Sequence, residues 1–250
     1  MLAIIFGFIG ASLGSFFNVC VDRLPADKSI VNPPSHCDSC QRRLTTLDLI
    51  PVLSFLVLRG RCRTCGARIP WRVFLVELGC GLYLALLFWF KGLGADFGLI
   101  AFFSFVLILI GLIDLQSQLV LPAVVYPAVA VALLLDAFVA QRGIINSLEG
   151  AGVGAAIILV PVLITRGAGM GVGDVEIAAF IGLATGFAEV VVGILGGIIA
   201  GGVVAVFLVA TRLKKRKDAI PFGPFLSLAA IAAVLWGPGI LHWYLNIFTR

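Results

Sequence analysis

The chain has 250 residues, of which 61% are hydrophobic and 12% are charged, whereas an average soluble domain has about 25% charged residues. This composition excludes an ordinary soluble enzyme and predicts a polytopic membrane protein. The net charge of +5 does not indicate a nucleic-acid partner, because the basic residues fall in loops between apolar runs, where membrane topology explains them.

Apolar runs predict about eight transmembrane helices, since about 20 residues cross a bilayer. In chain order the runs cover residues 2–19, 73–90, 96–113, 119–140, 147–165, 175–187, 190–211 and 222–247. The first run has no basic segment before it and no small-residue cleavage site after it, so we expect a retained helix rather than a secretory signal. Small residues at helical spacing in "GILGGIIAGG", residues 193–202, favour close packing of the seventh helix.

The distribution of Lys and Arg predicts the orientation in the membrane. If the polar segment, residues 21–72, is cytoplasmic, 15 of the 18 basic residues lie on that side. The remaining three, Lys91, Arg142 and Arg250, lie outside. The positive-inside rule then predicts that both termini are outside, and the basic run of residues 212–217 becomes a cytoplasmic loop within reach of anionic lipid.

The polar segment contains four cysteines in two C-x-x-C pairs. Cys37 and Cys40 are separated by 21 residues from Cys62 and Cys65, a spacing typical of zinc ribbons, in which four thiolates bind Zn²⁺ tetrahedrally. Two disulfides or a redox pair are the alternatives, but a cytoplasmic location disfavours disulfides and no βαβ pattern surrounds the pairs. We therefore expect a structural zinc site in a loop too small to have its own core, with His36 as a neighbour rather than a ligand.

Most acidic residues fall in loops or near helix ends, where we expect solvated carboxylates. These residues are Asp22, Asp27, Asp38, Asp48, Asp96, Asp136, Glu149, Glu189 and Asp218. Glu77 is closer to membrane depth, in the first turns of the second span, where a basic residue of the cysteine segment could pair with it.

Asp114 and Asp174 form a different class, because one ends the third span and the other begins the sixth, at the same cytoplasmic interface. Two close carboxylates do not easily both ionise, so one keeps a proton while the other acts as a base on a shared water, as aspartic proteolysis requires. The glycines of "GMGVGD", Gly169, Gly171 and Gly173, allow an extended peptide to approach Asp174 closely. The alternative, in which Asp174 only caps the sixth helix, does not explain Asp114 at the same depth.

The sequence resembles the bacterial type IV prepilin peptidases, a family of intramembrane aspartic peptidases with a G-x-G-D motif. The resemblance covers nearly the whole chain and rests on these stretches: "GASLGSFFNVCVDRLP", "CDSCQRRLTTLDLIPVLSFLVLRGRCRTCG", "VELGCGLYLALL", "GLIDLQSQLVLP", "GMGVGD" and "IPFGPFLSLAAIAAVLWG".

The resemblance implies catalytic roles for Asp114 and Asp174 and metal binding by the four cysteines. It implies that the basic leader of prepilins or pseudopilins is cleaved after a glycine, at the cytoplasmic face of the bacterial inner membrane. It also implies N-methylation of the new N-terminus by S-adenosylmethionine, an activity that the family links to the position of Gly60.

The sequence departs from the family pattern at two positions. Ala123 follows Pro122, where many members have an acid or an asparagine, so Asp114 is the only acidic candidate in its motif. Glu176 stands where the family often has a lysine, and it adds a like charge near Asp174.

We therefore predict an all-α polytopic membrane protein, a bundle of about eight transmembrane helices with a small zinc-ribbon-like cytoplasmic loop. Its predicted parts are a first transmembrane helix over residues 1–20, a tetracysteine zinc-binding segment over 21–72 and an aspartic peptidase core over 73–250. A peptidase without methyltransferase activity and a proton-coupled transporter are the alternatives. The transporter predicts internal repeats with broken helices, and the sequence has no convincing repeat. A non-enzymatic scaffold that recruits partners through the zinc segment would tolerate loss of both aspartates.

Overall fold

A computed structural model describes residues 1–139, 143–167, 170–215 and 219–248. Arg142, Gly169, Asp218 and Arg250, named above, lie outside these ranges. The helices are α1 (Leu2–Arg23), α2 (Leu53–Val57), α3 (Trp71–Lys91), α4 (Ala95–Ser117), α5 (Pro122–Phe138), α6 (Ile144–Thr165), α7 (Val172–Thr185), α8 (Val190–Ala210) and α9 (Gly223–Phe248). Short 3₁₀ turns cover Leu24–Ala26 and Thr46–Leu49. In these parts of the chain the regular structure is helical, apart from isolated β-bridges in the cysteine segment.

The prediction of an all-α membrane protein is confirmed. Six helices, α1, α3, α4, α6, α8 and α9, are long and apolar enough to cross a bilayer. The other two predicted spans correspond to α5, with 17 residues, and α7, with 14. Most helix bounds differ from the predicted runs by a few residues, and α4 continues to Ser117, so that Asp114 lies within the last turn of the helix rather than after it.

The chain divides into two compact units, Met1–Phe97 and Gly98–Arg250. In the first unit α1 packs closely along α3, because glycines on α1 face the backbone of α3. A Cβ added at Gly14 would lie 2.8 Å from the Val76 carbonyl oxygen, and one at Gly10 would overlap the Cys80 carbonyl. Glycine therefore brings these two helices into backbone contact.

The second unit is built around α7. Its residues Ile177, Ala178, Phe180 and Ile181 are 0% exposed, since α5, α6, α8 and α9 all pack against this helix. The central position of α7 fixes the helix start that carries Asp174.

Glycines also bring helices of the second unit together. Gly182 of α7 meets Gly150 of α6 so closely that a Cβ at position 182 would overlap the Gly150 backbone. A Cβ at Gly197 of α8 would lie 2.8 Å from a Leu226 methyl group of α9. Most glycines of the seventh predicted span thus face α9, as close packing of that helix requires.

One acid expected to be solvated is buried in this unit. Asp136, in the last turns of α5, is only 2% exposed, because α5 packs against both α6 and α7. Hydropathy located the helix end but did not predict its neighbours, so the expectation was wrong for this residue.

Candidate active site and cysteine cluster

Asp114 lies in the last turn of α4, with 6% of the residue exposed. Its Oδ2 accepts a hydrogen bond of 2.7 Å from the backbone N–H of Gly223, the first residue of α9. A Cβ at position 223 would lie 2.7 Å from Asp114 Oδ2 and 3.0 Å from Asp114 Cβ and Cγ. Glycine at this position is therefore what allows the backbone of α9 to reach the carboxylate.

Asp174 lies in the first turn of α7. Its Oδ2 accepts the Gly171 N–H at 2.9 Å, while the Asp174 N–H donates to the Gly171 carbonyl at 3.1 Å. This reciprocal pair of bonds is the usual way in which an acid in the first turn closes the start of a helix. The prediction that Asp174 can cap its helix is thus compatible with the structure, but the capping bond uses only one of its two carboxylate oxygens.

The structure brings Asp114 and Asp174 together, close enough for their carboxylates to interact electrostatically. The two residues share an arrangement: in each, Oδ2 accepts the N–H of a glycine at a helix start, and Oδ1 has no protein hydrogen bond among the described residues. Each carboxylate is therefore oriented by the backbone while one oxygen remains available to a water or a substrate.

The glycines of the second motif differ in their surroundings. A Cβ at Gly173 would lie 2.6 Å from Val120 Cβ, in the segment that follows α4, so this glycine lets the start of α7 approach the end of α4. Gly171 is exposed, and a Cβ there would approach other atoms no closer than 3.9 Å. Gly173 is thus required by packing, whereas Gly171 leaves open space beside Asp174.

Glu176 points away from the aspartate pair. Its Oε1 accepts a 3.0 Å hydrogen bond from the Tyr126 hydroxyl on α5. Because positions two apart on a helix lie on different faces, the carboxylate of Glu176 links α7 to α5 rather than joining Asp174. A lysine at this position could not accept the tyrosine proton.

The four predicted cysteine ligands converge. The Sγ atoms of Cys37, Cys40, Cys62 and Cys65 all lie within 4.8 Å of one another, and Cys37 Sγ lies 3.8 Å from Cys65 Sγ. A tetrahedral zinc site with Zn–S bonds of about 2.3 Å has S–S separations of about 3.8 Å, so this donor set fits Zn²⁺. The His36 Nδ1 contacts the Pro34 carbonyl at 3.0 Å, in keeping with a neighbour rather than a ligand.

The two cysteine pairs have the same backbone turn. In the first, the Gln41 N–H donates to the Cys37 carbonyl at 2.8 Å, and in the second the Gly66 N–H donates to the Cys62 carbonyl at 3.0 Å. The residue after the second cysteine of each pair has positive φ, 56° at Gln41 and 71° at Gly66. Backbone N–H groups of Cys65 and Thr64 lower the pKa of the Cys62 thiol to about 6, which favours the thiolate that a metal requires.

Asp48 joins the two cysteine turns, and the expectation that it is solvated was wrong. Its side chain is 3% exposed and forms ion pairs with Arg42 at 2.8 Å and Arg63 at 2.9 Å, one arginine from each turn. The backbone N–H and the hydroxyl of Thr45 also donate to it. Hydrogen bonds from Thr45 and, to a smaller extent, the hydrogen bond and charge of Arg42 hold the pKa of Asp48 well below its usual range. The T-x-x-D spacing, which is typical of a capping box, is the pattern in the sequence that could have indicated the contact between Thr45 and Asp48.

Glu77 also has a partner in the cysteine segment, but not the basic side chain that the sequence suggested. Its Oε2 accepts the backbone N–H of Val52 at 2.7 Å, and the residue is 5% exposed. In the described chain, no Lys or Arg lies within salt-bridge distance of this carboxylate.

Gly60 lies at a turn after α2, with φ of 68°. Its N–H donates to the Phe55 carbonyl at 2.8 Å, and an added Cβ would lie 3.0 Å from Cζ of the Phe55 ring. A left-handed backbone against an aromatic ring explains why glycine stands here. The link of Gly60 to methylation stays a prediction.

Sequence reasoning did not assign a role to Gly223, although it lies in the last motif that the chain shares with the prepilin peptidases. Its contact with Asp114 joins positions that are 109 residues apart. Only the packing of α9 against α4 reveals this contact.

Comparisons with known proteins agree with these features. The chain matches the family model of the bacterial peptidase A24 N-terminal domain over residues 8–91, which include the four cysteines, and the type IV leader peptidase family over residues 101–206, which include both aspartates. No solved structure matches it significantly.

Three similar relatives are each named prepilin leader peptidase/N-methyltransferase. The protein from Pseudomonas putida is 31% identical, over 93% of this chain and 90% of its own. The Bacillus subtilis (strain 168) protein is 31% identical over 99% of both chains, and the Aeromonas hydrophila protein is 32% identical over 94% of this chain and 91% of its own. With two family models matched in the expected order and identity of this level along its whole length, the chain belongs to the prepilin leader peptidase/N-methyltransferase family.

Proposed function

We propose that this integral membrane protein cleaves the basic leader of type IV prepilins or type II secretion pseudopilins after a glycine, and then N-methylates the new N-terminal residue. The observation that carries the peptidase activity is the aspartate pair. Asp114 and Asp174 come from different helices, interact electrostatically, and each keep one carboxylate oxygen free of protein hydrogen bonds among the described residues. The names of the relatives support both activities.

In the proposed peptidase mechanism, the pair shares one proton and holds a water between the two free oxygens. The ionised carboxylate takes a proton from the water as its oxygen attacks the scissile carbonyl carbon, and the protonated carboxyl donates to the carbonyl oxygen. As the tetrahedral intermediate collapses, the carboxyl that took the water proton gives it to the leaving nitrogen, and the other carboxylate takes back a hydroxyl proton. The C–N bond breaks, and the pilin is left with a free amino group. The two glycine N–H bonds orient the carboxylates before substrate arrives, and this preorganisation lowers the barrier.

We assign Gly171 and Gly173 to the substrate-proximal segment, where Gly171 precedes α7 and Gly173 lies in its first turn. Space beside Gly171 suits an extended peptide, because no side chain separates the incoming backbone from Asp174. We assign Gly173 the different task of setting the distance between the ends of α7 and α4 through its contact with Val120.

The charge distribution supports the orientation. With 15 of 18 basic residues on the side of the cysteine segment, the positive-inside rule supports a cytoplasmic location for that segment and both termini outside. The ends of α4 and α7 that carry the aspartates would then face the cytoplasmic side of the bilayer. A prepilin would then enter laterally from the lipid bilayer, with its basic leader at the cytoplasmic face.

The cysteine cluster would hold a structural Zn²⁺ through Cys37, Cys40, Cys62 and Cys65, because four thiolates at these separations leave no open position. S-adenosylmethionine, when bound, would supply the methyl group for the amine that cleavage releases. Replacing Cys37 and Cys62 together by serine should abolish zinc in the purified protein. Unchanged metal content would contradict the assignment.

Two single substitutions test the peptidase activity. Asp114→Asn and Asp174→Asn keep side-chain size but remove an ionisable group, so each should reduce leader cleavage by at least about 10³-fold, the upper range of acid–base contributions. Asp96→Asn is the matched control, since Asp96 lies exposed in the first turn of α4, at the opposite end of that helix from Asp114. Cleavage retained by either active-site variant would refute the peptidase assignment and favour a scaffold or a transporter.

Methyl transfer needs its own assay. Purified protein, prepilin and S-adenosylmethionine with a labelled methyl group should yield labelled mature pilin. Full cleavage without label would reduce the function to the peptidase alone, which is the second candidate.

A further inference from the structure

The first unit contains a buried polar cluster that neither the aspartate pair nor the cysteine site uses. Glu77 of α3 is 5% exposed, and Asn18 of α1 is 6% exposed. The Asn18 Nδ2 donates to the carbonyls of Gly14 and Val73, both at 3.2 Å. Its Oδ1 is buried and has no hydrogen-bond partner in the part of the chain that the structure describes.

The two side chains are neighbours. Val73, which accepts from Asn18, precedes Glu77 by one helical turn, so both lie on the same face of α3. A Cβ on Gly14 would lie 2.9 Å from the Glu77 Cα, which puts this turn of α1 directly against Glu77. Ser15, on the same turn of α1, lies near enough to act on the Glu77 carboxylate.

The cluster has acceptors in excess of donors. The Glu77 carboxylate can accept about four hydrogen bonds, and among the described residues the Val52 N–H donates to it while Ser15 lies nearby. The Asn18 Oδ1 has no donor among the described residues. A buried carboxylate without a cation and a buried amide oxygen without a donor both destabilise the fold. Such a site is complementary to a small cation with several N–H donors.

The cover of the site is a strained turn. Val52 has φ of 63° and ψ of −52°, a conformation that a β-branched residue rarely adopts, and its N–H bond to Glu77 holds it there. Strain of this kind is maintained only where the surrounding contacts impose it, and it is most frequent at ligand sites. The five-residue helix α2 follows this turn directly.

We propose that Glu77 and Asn18 bind a primary ammonium group that takes part in methyl transfer. This inference rests on the proposed methyltransferase activity, in which two ammonium groups occur: the amino-acid end of the methyl donor and the new N-terminus of the cleaved pilin. Both have three N–H donors and one positive charge, which matches the carboxylate and the unpartnered amide oxygen. The N-terminal amine must be held near a base before it can act as a nucleophile. The Glu77 carboxylate, in the first unit, could bind the ammonium group of the methyl donor or accept a proton from the pilin amine.

Equilibrium binding to the full-length purified protein distinguishes the two sources. One arm uses S-adenosylhomocysteine against its analogue without the amino group, and the other uses a mature-pilin N-terminal peptide against the same peptide with an acetylated N-terminus. We expect Glu77→Gln, whose amide oxygen still accepts from Val52, to weaken binding of the amino form at least tenfold in one arm. Binding of the analogue without a free amine should not change.

Further variants distinguish a loss of amine binding from a general loss of folded structure. Glu77→Asp keeps the charge and should bind better than Glu77→Gln, and Asn18→Ala should weaken the same arm. Asp22→Asn is the control, since this carboxylate belongs to the same unit and is paired with Arg72 at its surface. The midpoint of thermal unfolding checks that each variant is folded.

The outcomes separate this inference from the proposed function. If Glu77→Gln binds both amines like the unmodified protein, Glu77 is a neutral carboxyl that donates to Asn18, and the ammonium site is refuted even where methyl transfer is intact. If the unmodified protein transfers no methyl group but loses amine binding on Glu77→Gln, the methyltransferase assignment fails while the site stands.

Discussion

The contact between Gly223 and Asp114 allows a sharp test of the active site. Gly223→Ala introduces a single methyl group at the start of α9, 2.7 Å from Asp114 Oδ2 and 3.0 Å from its Cγ. The change leaves both ionisable groups in place. Alanine is also a good helix residue, so the local cost to α9 is small.

The expected size of the effect follows from the overlap. An ordinary contact begins near 3.4 Å, so the carboxylate or the backbone of α9 must move by about 0.4–0.7 Å to reach that separation. A displacement of about 1 Å at a catalytic group costs up to about 100-fold in rate. We therefore expect Gly223→Ala to lower kcat/KM for leader cleavage by about 10- to 100-fold, mainly through kcat, because the substrate-binding surface is unchanged.

The assay is cleavage of a purified prepilin in detergent, followed over time by the shift to the mature form. Gly202→Ala is the matched control, since it adds the same methyl group to α8, where a Cβ would meet nothing within 4 Å. If Gly223→Ala cleaves at the unmodified rate while Asp114→Asn is inactive, the Gly223 N–H does not orient the catalytic carboxylate, and the reasoning is wrong.

Three further substitutions have defined outcomes. Asp48→Asn removes two ion pairs, so we expect about 2–3 kcal/mol of lost stability in the cysteine segment, measured as faster zinc loss to a chelator. Because folding lowers the pKa of Asp48, the contribution of this carboxylate to stability is present at neutral pH and disappears as pH falls through the lowered pKa. The difference in stability between Asp48→Asn and the unmodified protein should therefore vanish in acid. Gly66→Ala places a side chain at φ of 71° with nothing within 4 Å, so it should cost about 1–2 kcal/mol from backbone strain alone; unchanged zinc retention would contradict this. Gly173→Ala forces a contact of 2.6 Å with Val120, so it should separate the ends of α7 and α4 and reduce cleavage with methylation of a pre-cleaved pilin intact; equal loss of both activities would indicate global misfolding instead.

Hydropathy and short motifs predicted the class of fold and the residues of both candidate sites. Apolar runs identify helices because a segment in the bilayer must form all its backbone hydrogen bonds within itself. The C-x-x-C pairs indicate a metal because the spacing of two cysteine ligands in one turn can be read directly from the sequence. The aspartates were predicted from helix ends at one face of the membrane, which depends only on the order of the spans.

Contacts between distant segments were not predictable in the same way. The charge of Asp48 suggested solvent, yet Arg42 and Arg63 enclose it, because the two cysteine turns come together only in the folded segment. Glu77 was expected to meet a basic side chain and instead accepts the Val52 N–H. In both cases sequence alone identifies the carboxylate but not the donor that folding brings to it.

The length of α7 has a consequence for where the peptide bond is cut. Its 14 residues extend about 21 Å at 1.5 Å each, against a hydrocarbon core of about 30 Å. The adjoining α8, with 21 residues, is long enough to cross, and only residues 186–189 connect the two. If that connection lies at one surface of the bilayer, the other end of α7, with Asp174, would stop about 10 Å short of the opposite surface. Hydrolysis at that depth needs a wetted recess lined by protein, and we expect the scissile bond to descend into it rather than meet the aspartates at the lipid headgroups.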